Sequence, residues 1–126
     1  MEEVPPEYAK ILYLMYAELE EKYGLARHAM QVYNRATRAV KEEERPKMYI
    51  IYLQKATKFF GVTRTREIFD RAIETLPEKH ARAFCMRYAQ LERKLGEIDR
   101  ARGIYTYCAQ FCDPKVLSVA SFQILS

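Results

Sequence analysis

The sequence is poor in residues that interrupt helices, cross-link chains or span membranes. It has four glycines, five prolines, three cysteines and no tryptophan. Its longest uninterrupted apolar run, from Ile11 to Ala17, is far shorter than the roughly 20 residues of a membrane-spanning helix. The odd number of cysteines, the absence of a CxxC pair and the acidic start favour free thiols in a reducing compartment. We therefore expect a protein with neither a membrane segment nor a disulfide framework.

The sequence also lacks the residue clusters that catalysis requires. Its two histidines, His28 and His80, have no neighbouring pattern of metal ligands or acid partners. Cys108 and Cys112 lie four residues apart and could hold zinc, but two ligands without a second pair are better explained as small buried apolar residues. There is no glycine-rich phosphate loop and no nucleophile elbow. The sequence thus predicts no enzyme activity, no cofactor and no metal site.

Charge is distributed unevenly along the chain. Residues 1–45 carry nine acidic and seven basic side chains, whereas the remaining residues carry eight and fourteen. This asymmetry could steer a charged partner of either sign. The solvated outer face of a helical-repeat protein, which is normally charged, is the favoured explanation of this asymmetry, and the charged partner is the alternative.

A 36-residue period runs through the chain. Small, aromatic and acidic residues recur at this spacing or at twice this spacing. We expect the following recurring positions to form a structural motif: Tyr16, Tyr52 and Tyr88; Tyr33, Phe69 and Tyr105; Ala36 and Ala72; Ala29 and Ala101; Glu20 and Glu92. A period of this length indicates one supersecondary unit, copied along the chain, that needs its neighbours to bury its apolar face.

Within each copy the apolar residues follow the spacing of α-helices. The first set, starting at Tyr8, ends at Gly24, where a left-handed residue would stop a helix. Pro46 and Pro77 mark further helix boundaries, and no segment alternates as a half-buried strand does. The predicted fold is all-α, an α-α superhelix (solenoid) of three helical hairpins and a terminal helix. The expected boundaries are 7–44, 45–77 and 78–113 for the repeats, and 114–126 for a capping or truncated helix.

The third copy allows a family resemblance to be stated. It reads Tyr88-Ala89-Gln90-Leu91-Glu92, then Gly96, then Arg100-Ala101-Arg102-Gly103-Ile104-Tyr105. This pattern resembles the HAT (half-a-tetratricopeptide) repeat of RNA-processing proteins. Longer phrases, from Tyr23 to Met30 and from Lys94 to Arg102, resemble the Syf-type (XPA-binding) pre-mRNA splicing branch of that family. The resemblance implies that the chain is either a fragment from the C-terminal half of a long HAT array or an unusually short relative of it.

The copies depart from the HAT pattern at several positions. Tyr13, Tyr49 and Cys85 occupy the position where the first helix of a HAT repeat has tryptophan. In the third copy, Tyr107 and Cys108 replace the Arg-Ala pair of the second helix. Such degeneration is ordinary in repeat arrays, so the resemblance still covers residues 8–112.

Specific contacts are expected from the motif. Glu92 should pair with Arg100 or Arg102 on the second helix of its own repeat. Glu20 should do the equivalent with Arg27 or Arg35. The six aromatic motif residues should be largely buried, because they occupy equivalent inner positions.

The resemblance implies a non-enzymatic protein–protein interaction scaffold in nuclear pre-mRNA splicing, with other spliceosomal proteins of the nineteen-complex-associated assembly as partners. The alternative is a single-stranded RNA-binding helical repeat module. Its basic contact surface would comprise Arg64, Arg93, Lys94 and Arg100. RNA contact is the less favoured interpretation, because arginines of the repeat are expected to pair with its acids. A tetratricopeptide-type adaptor, the third interpretation, should show a 34-residue period instead.

The two ends of the chain are rich in apolar residues. The first predicted helix has more of them than one inner face can use, and the tail adds several more between Val116 and Leu125. We therefore expect a homodimer formed through the terminal apolar helices.

Overall fold

The computed structural model describes residues 4–110, and almost all of them are helical. The six α-helices are α1 (Pro6–Lys22), α2 (Ala26–Ala39), α3 (Arg45–Phe60), α4 (Thr65–Thr75), α5 (Glu78–Lys94) and α6 (Ile98–Ala109). Short 3₁₀ turns, Glu42–Glu44 and Val62–Arg64, precede α3 and α4. Residues 4–110 contain no β-strand. The all-α class predicted from the sequence is confirmed.

The first and third hairpin turns share one geometry, which the glycine makes possible. Gly24 and Gly96 have φ values of 74° and 81°, in the left-handed region that glycine enters without a steric cost. After α1, the amides of Gly24 and Leu25 donate to carbonyl oxygens of the last helical turn, at 3.0 and 2.9 Å. After α5, the amides of Gly96 and Glu97 do the same at 3.1 and 2.9 Å. This Schellman pattern satisfies carbonyls that would otherwise lack partners, and it lets the next helix begin at once.

The middle turn is built differently, and its glycine, Gly61, lies one residue later than a 36-residue step from Gly24 would place it. Gly61, with φ 90°, donates its amide to the Thr57 carbonyl at 3.1 Å. The chain then makes the 3₁₀ turn Val62–Arg64 before α4 starts at Thr65. A longer connection replaces the tight Schellman turn, so the glycine register shifts while the register of the helices is kept.

The described residues up to Ile68 form one compact unit, in which α2 packs against both α1 and α3. Small residues on α1 and α2 let the two helix backbones approach closely: Ala9, Ala17, Ala29 and Ala36 are each 0% exposed. Tyr13 and Tyr33 fill the remaining space. At the edge of this unit, Lys10 Nζ lies 2.9 Å from Glu44 Oε2, and this hydrogen bond lowers the pKa of the Glu44 carboxyl.

The described residues from Phe69 onward form the second compact unit, in which α5 packs against α6. Its core uses the same combination of small and aromatic residues. Ala89 and Ala101 are almost completely buried, at 0% and 4% exposure, and so are the aromatic side chains of Phe84 and Tyr88, at 3% and 4%.

The repeat boundaries taken from the sequence remain a proposal. The ranges 7–44, 45–77 and 78–113 each contain one consecutive pair of α-helices, except that α1 begins at Pro6. The terminal segment 114–126, expected to be a capping or truncated helix, lies outside the described residues.

Candidate functional site

The aromatic motif residues differ in burial, and the difference follows their neighbours. Tyr33, Phe69 and Tyr88 are buried, at 1%, 6% and 4% exposure. Tyr52 and Tyr105 are partly buried. The prediction is wrong for Tyr16, which is 39% exposed.

Two stacked aromatic pairs explain this difference. The Tyr33 and Tyr52 rings lie 6.5 Å apart with 20° between their planes, and the Phe69 and Tyr88 rings lie 5.0 Å apart and parallel. Both pairs join a second helix of one copy to a first helix of the next, at the same sequence separation. Tyr16 belongs to the same series as Tyr52 and Tyr88, but residues 4–110 supply no helix before α1 to cover it.

Another recurring series is buried more uniformly than the tyrosines selected from the sequence. Tyr13, Tyr49 and Cys85, at the tryptophan position of the HAT pattern, are 4%, 2% and 0% exposed. Their 36-residue spacing was a sufficient signal to include them among the motif residues. Core positions of this array are therefore filled by residues of very different volume.

In the first unit, a carboxylate of α1 binds both neighbouring helices. Glu21 Oε2 accepts a hydrogen bond of 2.8 Å from the Tyr33 hydroxyl on α2. Glu21 Oε1 lies 3.0 Å from Lys55 Nζ on α3. Burial and the Glu21 carboxylate both raise the pKa of Tyr33 well above its usual value, so its hydroxyl stays protonated as a donor. No role for Glu21 is predicted by the 36-residue motif.

The expected arginine partner of Glu20 is wrong. Glu20 Oε2 lies 3.7 Å from His28 Nδ1 rather than beside Arg27 or Arg35. The period could have identified this histidine, because Glu20 and His28 stand two periods before Glu92 and Arg100. Histidine therefore takes the place of arginine in the first copy.

In the second unit, the predicted contact between Glu92 and Arg100 is present. Arg100 Nε lies 3.5 Å from Glu92 Oε2, and the Glu92 side chain is completely buried. The same guanidinium donates from Nη2 to the Tyr88 hydroxyl at 3.1 Å. Burial and the negative charge of Asp70 raise the pKa of Tyr88, while the Arg100 hydrogen bond opposes them. One arginine thus links a carboxylate and a tyrosine of α5 to α6.

The residues of the predicted basic surface do not form a single cluster within either unit. Arg64 lies in the 3₁₀ turn of the first unit. Arg93 and Lys94 are exposed at the end of α5 in the second unit. Arg100 is held by Glu92 and Tyr88, although its side chain is still 47% exposed.

A groove of about 490 Å³ lies in the second unit among α4, α5 and α6. Its floor includes the buried Cys85 and Tyr88 of α5. Its walls are formed by Asp70, Ile73 and Glu74 of α4 and by Arg100, Gly103, Ile104 and Tyr107 of α6. The groove combines an apolar lining with acidic side chains at its α4 wall.

An apolar stripe lies on the side of α1 that faces away from the core. Its side chains are between 39% and 70% exposed and fall at helical spacing: Tyr8, Ile11, Leu12, Met15, Tyr16 and Leu19, with Tyr23 just after the helix. A stripe of this kind is typical of a helix that packs against another helix.

Two of the three cysteines lie within the described residues, and both belong to the core. Cys85 and Cys108 are buried free thiols. Across residues 4–110, no group of three or more His, Cys, Asp or Glu side chains is arranged to hold a metal ion. Cys112, the other half of the weak zinc hypothesis, lies outside that range. The helices that the structure describes include none with the length and apolar character for a bilayer span.

The fold and the motif contacts together define a helical-repeat protein built from HAT-like hairpins. A family profile described as Pre-mRNA-splicing factor Syf1/CRNKL1 C-terminal HAT repeat matches residues 1–122. The chain therefore belongs to this family, and the resemblance drawn from its sequence is confirmed.

Individual relatives match a shorter stretch at high identity. The chain is 60% identical over 48 residues to the pre-mRNA-splicing factor syf1 of Neurospora crassa, which is 38% of this chain and 6% of that protein. It is 66% identical over 44 residues to the syf1 homolog of Drosophila melanogaster and to SYF1 of Homo sapiens, covering 35% of this chain and 5% of each relative. The matched segment thus spans only a small part of the length of these relatives.

Proposed function

We propose that the chain is a non-enzymatic protein-binding scaffold that acts in nuclear pre-mRNA splicing, as one piece of a longer HAT array. The observation that carries this proposal is the match of residues 1–122 to a family described by a splicing factor. The relatives bear the same description, which supports a nuclear location. The partners proposed are other spliceosomal proteins, in the nineteen-complex-associated assembly that the resemblance implies.

The proposed mechanism is presentation of a surface with fixed geometry. The polar motif groups face inward: Glu92 and Tyr88 are held by Arg100, and Tyr33 is held by Glu21. Such contacts fix how the helices of a repeat sit together. We assign the recurring motif residues this structural role, which leaves exposed side chains to contact partners.

Capture from nuclear extract tests this function. The immobilised chain should enrich nineteen-complex proteins over an unrelated helical-repeat protein of equal net charge. Enrichment should persist after ribonuclease treatment, because the contacts are with protein. Recovery of no spliceosomal protein above the control would contradict the proposal.

Single-stranded RNA binding is the rival function, and the same chain can test it. Arg100 already serves a contact within the repeat, which weakens the predicted basic surface, whereas Arg93 and Lys94 remain exposed. Capture that disappears with ribonuclease, together with RNA affinity that falls steeply with salt and in Arg93→Ala/Lys94→Ala, would favour the RNA-binding function.

We also propose that the isolated chain forms a two-fold dimer through the apolar stripe of α1. The stripe exposes apolar area on the order of several hundred Å², the size at which an exposed apolar patch often marks an interaction site. An antiparallel pairing centred near Met15 places the acidic Glu7 of one copy near Lys22 of the other, so charge and apolar surface match together. The tail between Val116 and Leu125, also expected to contribute, lies outside the described residues.

Light scattering at micromolar concentration should therefore give the mass of a dimer. Met15→Glu should give a monomer, because it places a charge at the centre of the proposed contact, where Met15 is 60% exposed. Leu95→Glu is the matched control: Leu95 is 43% exposed but lies at the end of α5, so the dimer should persist. A monomeric unmodified chain, or equal loss of the dimer in both variants, would contradict the proposal.

A further inference from the structure

Gly103 lies inside α6, where glycine weakens a helix relative to alanine. Its backbone needs no special conformation, since the positive-φ glycines are Gly24, Gly61 and Gly96. Internal packing does not require it either: a Cβ atom built on Gly103 meets nothing within 4 Å. The position opens instead into the 490 Å³ groove among α4, α5 and α6. Glycine at such a point allows another chain to approach the helix backbone closely.

The period shows that this opening is particular to the third copy. The equivalent positions of Gly103 in the earlier copies hold Gln31 and Glu67, whose long side chains would occupy the corresponding space. Tyr107, on the same groove, replaces the arginine that the earlier copies carry at Arg35 and Arg71. Two departures from the repeat therefore coincide at one groove. One removes a polar side chain, and the other replaces a charge with a half-exposed aromatic ring.

The charged side chains around the groove determine which charge is favoured in a bound segment. Asp70 and Glu74 are exposed on the α4 wall. The single basic residue among the described lining side chains, Arg100, lies 3.5 Å from the buried Glu92 carboxylate, so its charge is largely compensated. The groove thus offers apolar contact from Ile73, Ile104 and Tyr107 beside the exposed carboxylate of Glu74.

We propose that this groove binds a short segment of a partner protein in which an apolar side chain is flanked by lysine or arginine. The apolar side chain lies over Gly103, between Ile73 and Tyr107, and the basic side chain faces Glu74. The volume falls within the roughly 300–1,000 Å³ of small-ligand sites and is large enough for an anchoring side chain and its neighbours. This inference rests on the proposed protein-binding function and names the chemistry of the partner.

The probe is the peptide acetyl-Ala-Arg-Ile-Lys-Ala-amide, titrated into the isotope-labelled full chain and followed by NMR. We expect saturable shifts at the amides of Glu74, Gly103 and Tyr107, with millimolar affinity because the peptide is short and flexible. Two matched peptides serve as comparison: one has serine in place of isoleucine, and the other has glutamate in place of both basic residues. Each should bind at least about tenfold more weakly. Equal binding of the acidic peptide, or shifts confined to other surfaces, would overturn the proposal.

Variants at one position separate a blocked groove from a damaged fold. Gly103→Leu should abolish the shifts by filling the groove, whereas Gly103→Ala should bind within about twofold of the unmodified chain while melting at a higher temperature. Glu74→Lys should weaken the basic peptide without changing the melting temperature. Unchanged peptide binding by Gly103→Leu would contradict the proposal that the peptide binds in the groove. If that variant still captured spliceosomal proteins, the scaffold function would stand without it.

Discussion

Tyr33→Ala should lower the free energy of unfolding by about 3–5 kcal/mol, the range for removal of a buried aromatic side chain. Tyr33 is 1% exposed, stacks on Tyr52 and donates its hydroxyl to Glu21. The substitution leaves a cavity between helices and removes one of the hydrogen bonds that Glu21 accepts. Urea denaturation followed by circular dichroism measures the change, and the urea midpoint should fall clearly.

Three controls separate the components of this effect. Tyr33→Phe removes the hydroxyl alone and should cost about 1.5–3 kcal/mol, the value of a hydrogen bond to a charged group. Tyr16→Ala, at an aromatic motif position of the other series and 39% exposed, should cost clearly less than Tyr33→Ala. Lys94→Ala, at an exposed site, should change stability by less than about 0.5 kcal/mol. Equal losses at Tyr16 and Tyr33 would contradict the burial pattern on which the expectation rests.

The 36-residue period is sufficient to predict the helices, but it does not predict how far each side chain is buried by its neighbours. Gly24 and Gly96 mark turns because glycine alone enters the left-handed region freely, and that signal is local in sequence. Whether the tyrosine at the position of Tyr16 is buried does not depend on local sequence. It depends on a ring from a preceding helix, as Tyr33 provides for Tyr52. A repeat pattern identifies equivalent positions, whereas the contacts of a position depend on which neighbours are present.

The same distinction applies to the ion pairs. Glu92 and Arg100 were predicted correctly because the motif and the spacing agree in the third copy. For Glu20, the motif alone predicts an arginine partner. The 36-residue period instead indicates His28, which lies beside Glu20 in the structure. In the second copy Ala56 occupies the equivalent acidic position, so this pair is not repeated there. The groove at Gly103 could not be predicted, because its shape depends on three helices that the sequence does not place in space.

Arg100→Ala should be the most damaging single change among the exposed arginines of α6. It removes a cation that contacts a completely buried carboxylate, and taking a charged partner away from a buried charge is costly. Because Arg100 is itself 47% exposed, solvent reduces the expected loss to about 1–3 kcal/mol. The loss should be visible as a lower urea midpoint with an unchanged slope.

Arg102→Ala is the matched control on the same helix. Arg102 Nη1 lies 3.8 Å from Asp99 Oδ1, and both side chains are largely exposed to solvent, so the change should stay below about 0.5 kcal/mol. Adding Glu92→Gln to the Arg100→Ala variant should restore part of the lost free energy of unfolding, because a neutral amide is less costly to bury than a carboxylate. The coupling between the two positions follows from the double-mutant cycle. Two results would contradict this expectation: a loss for Arg100→Ala no larger than that for Arg102→Ala, or a further loss when Glu92→Gln is added to Arg100→Ala. Either would mean that the buried carboxylate does not depend on Arg100. The motif pair would then have no part in holding α5 against α6.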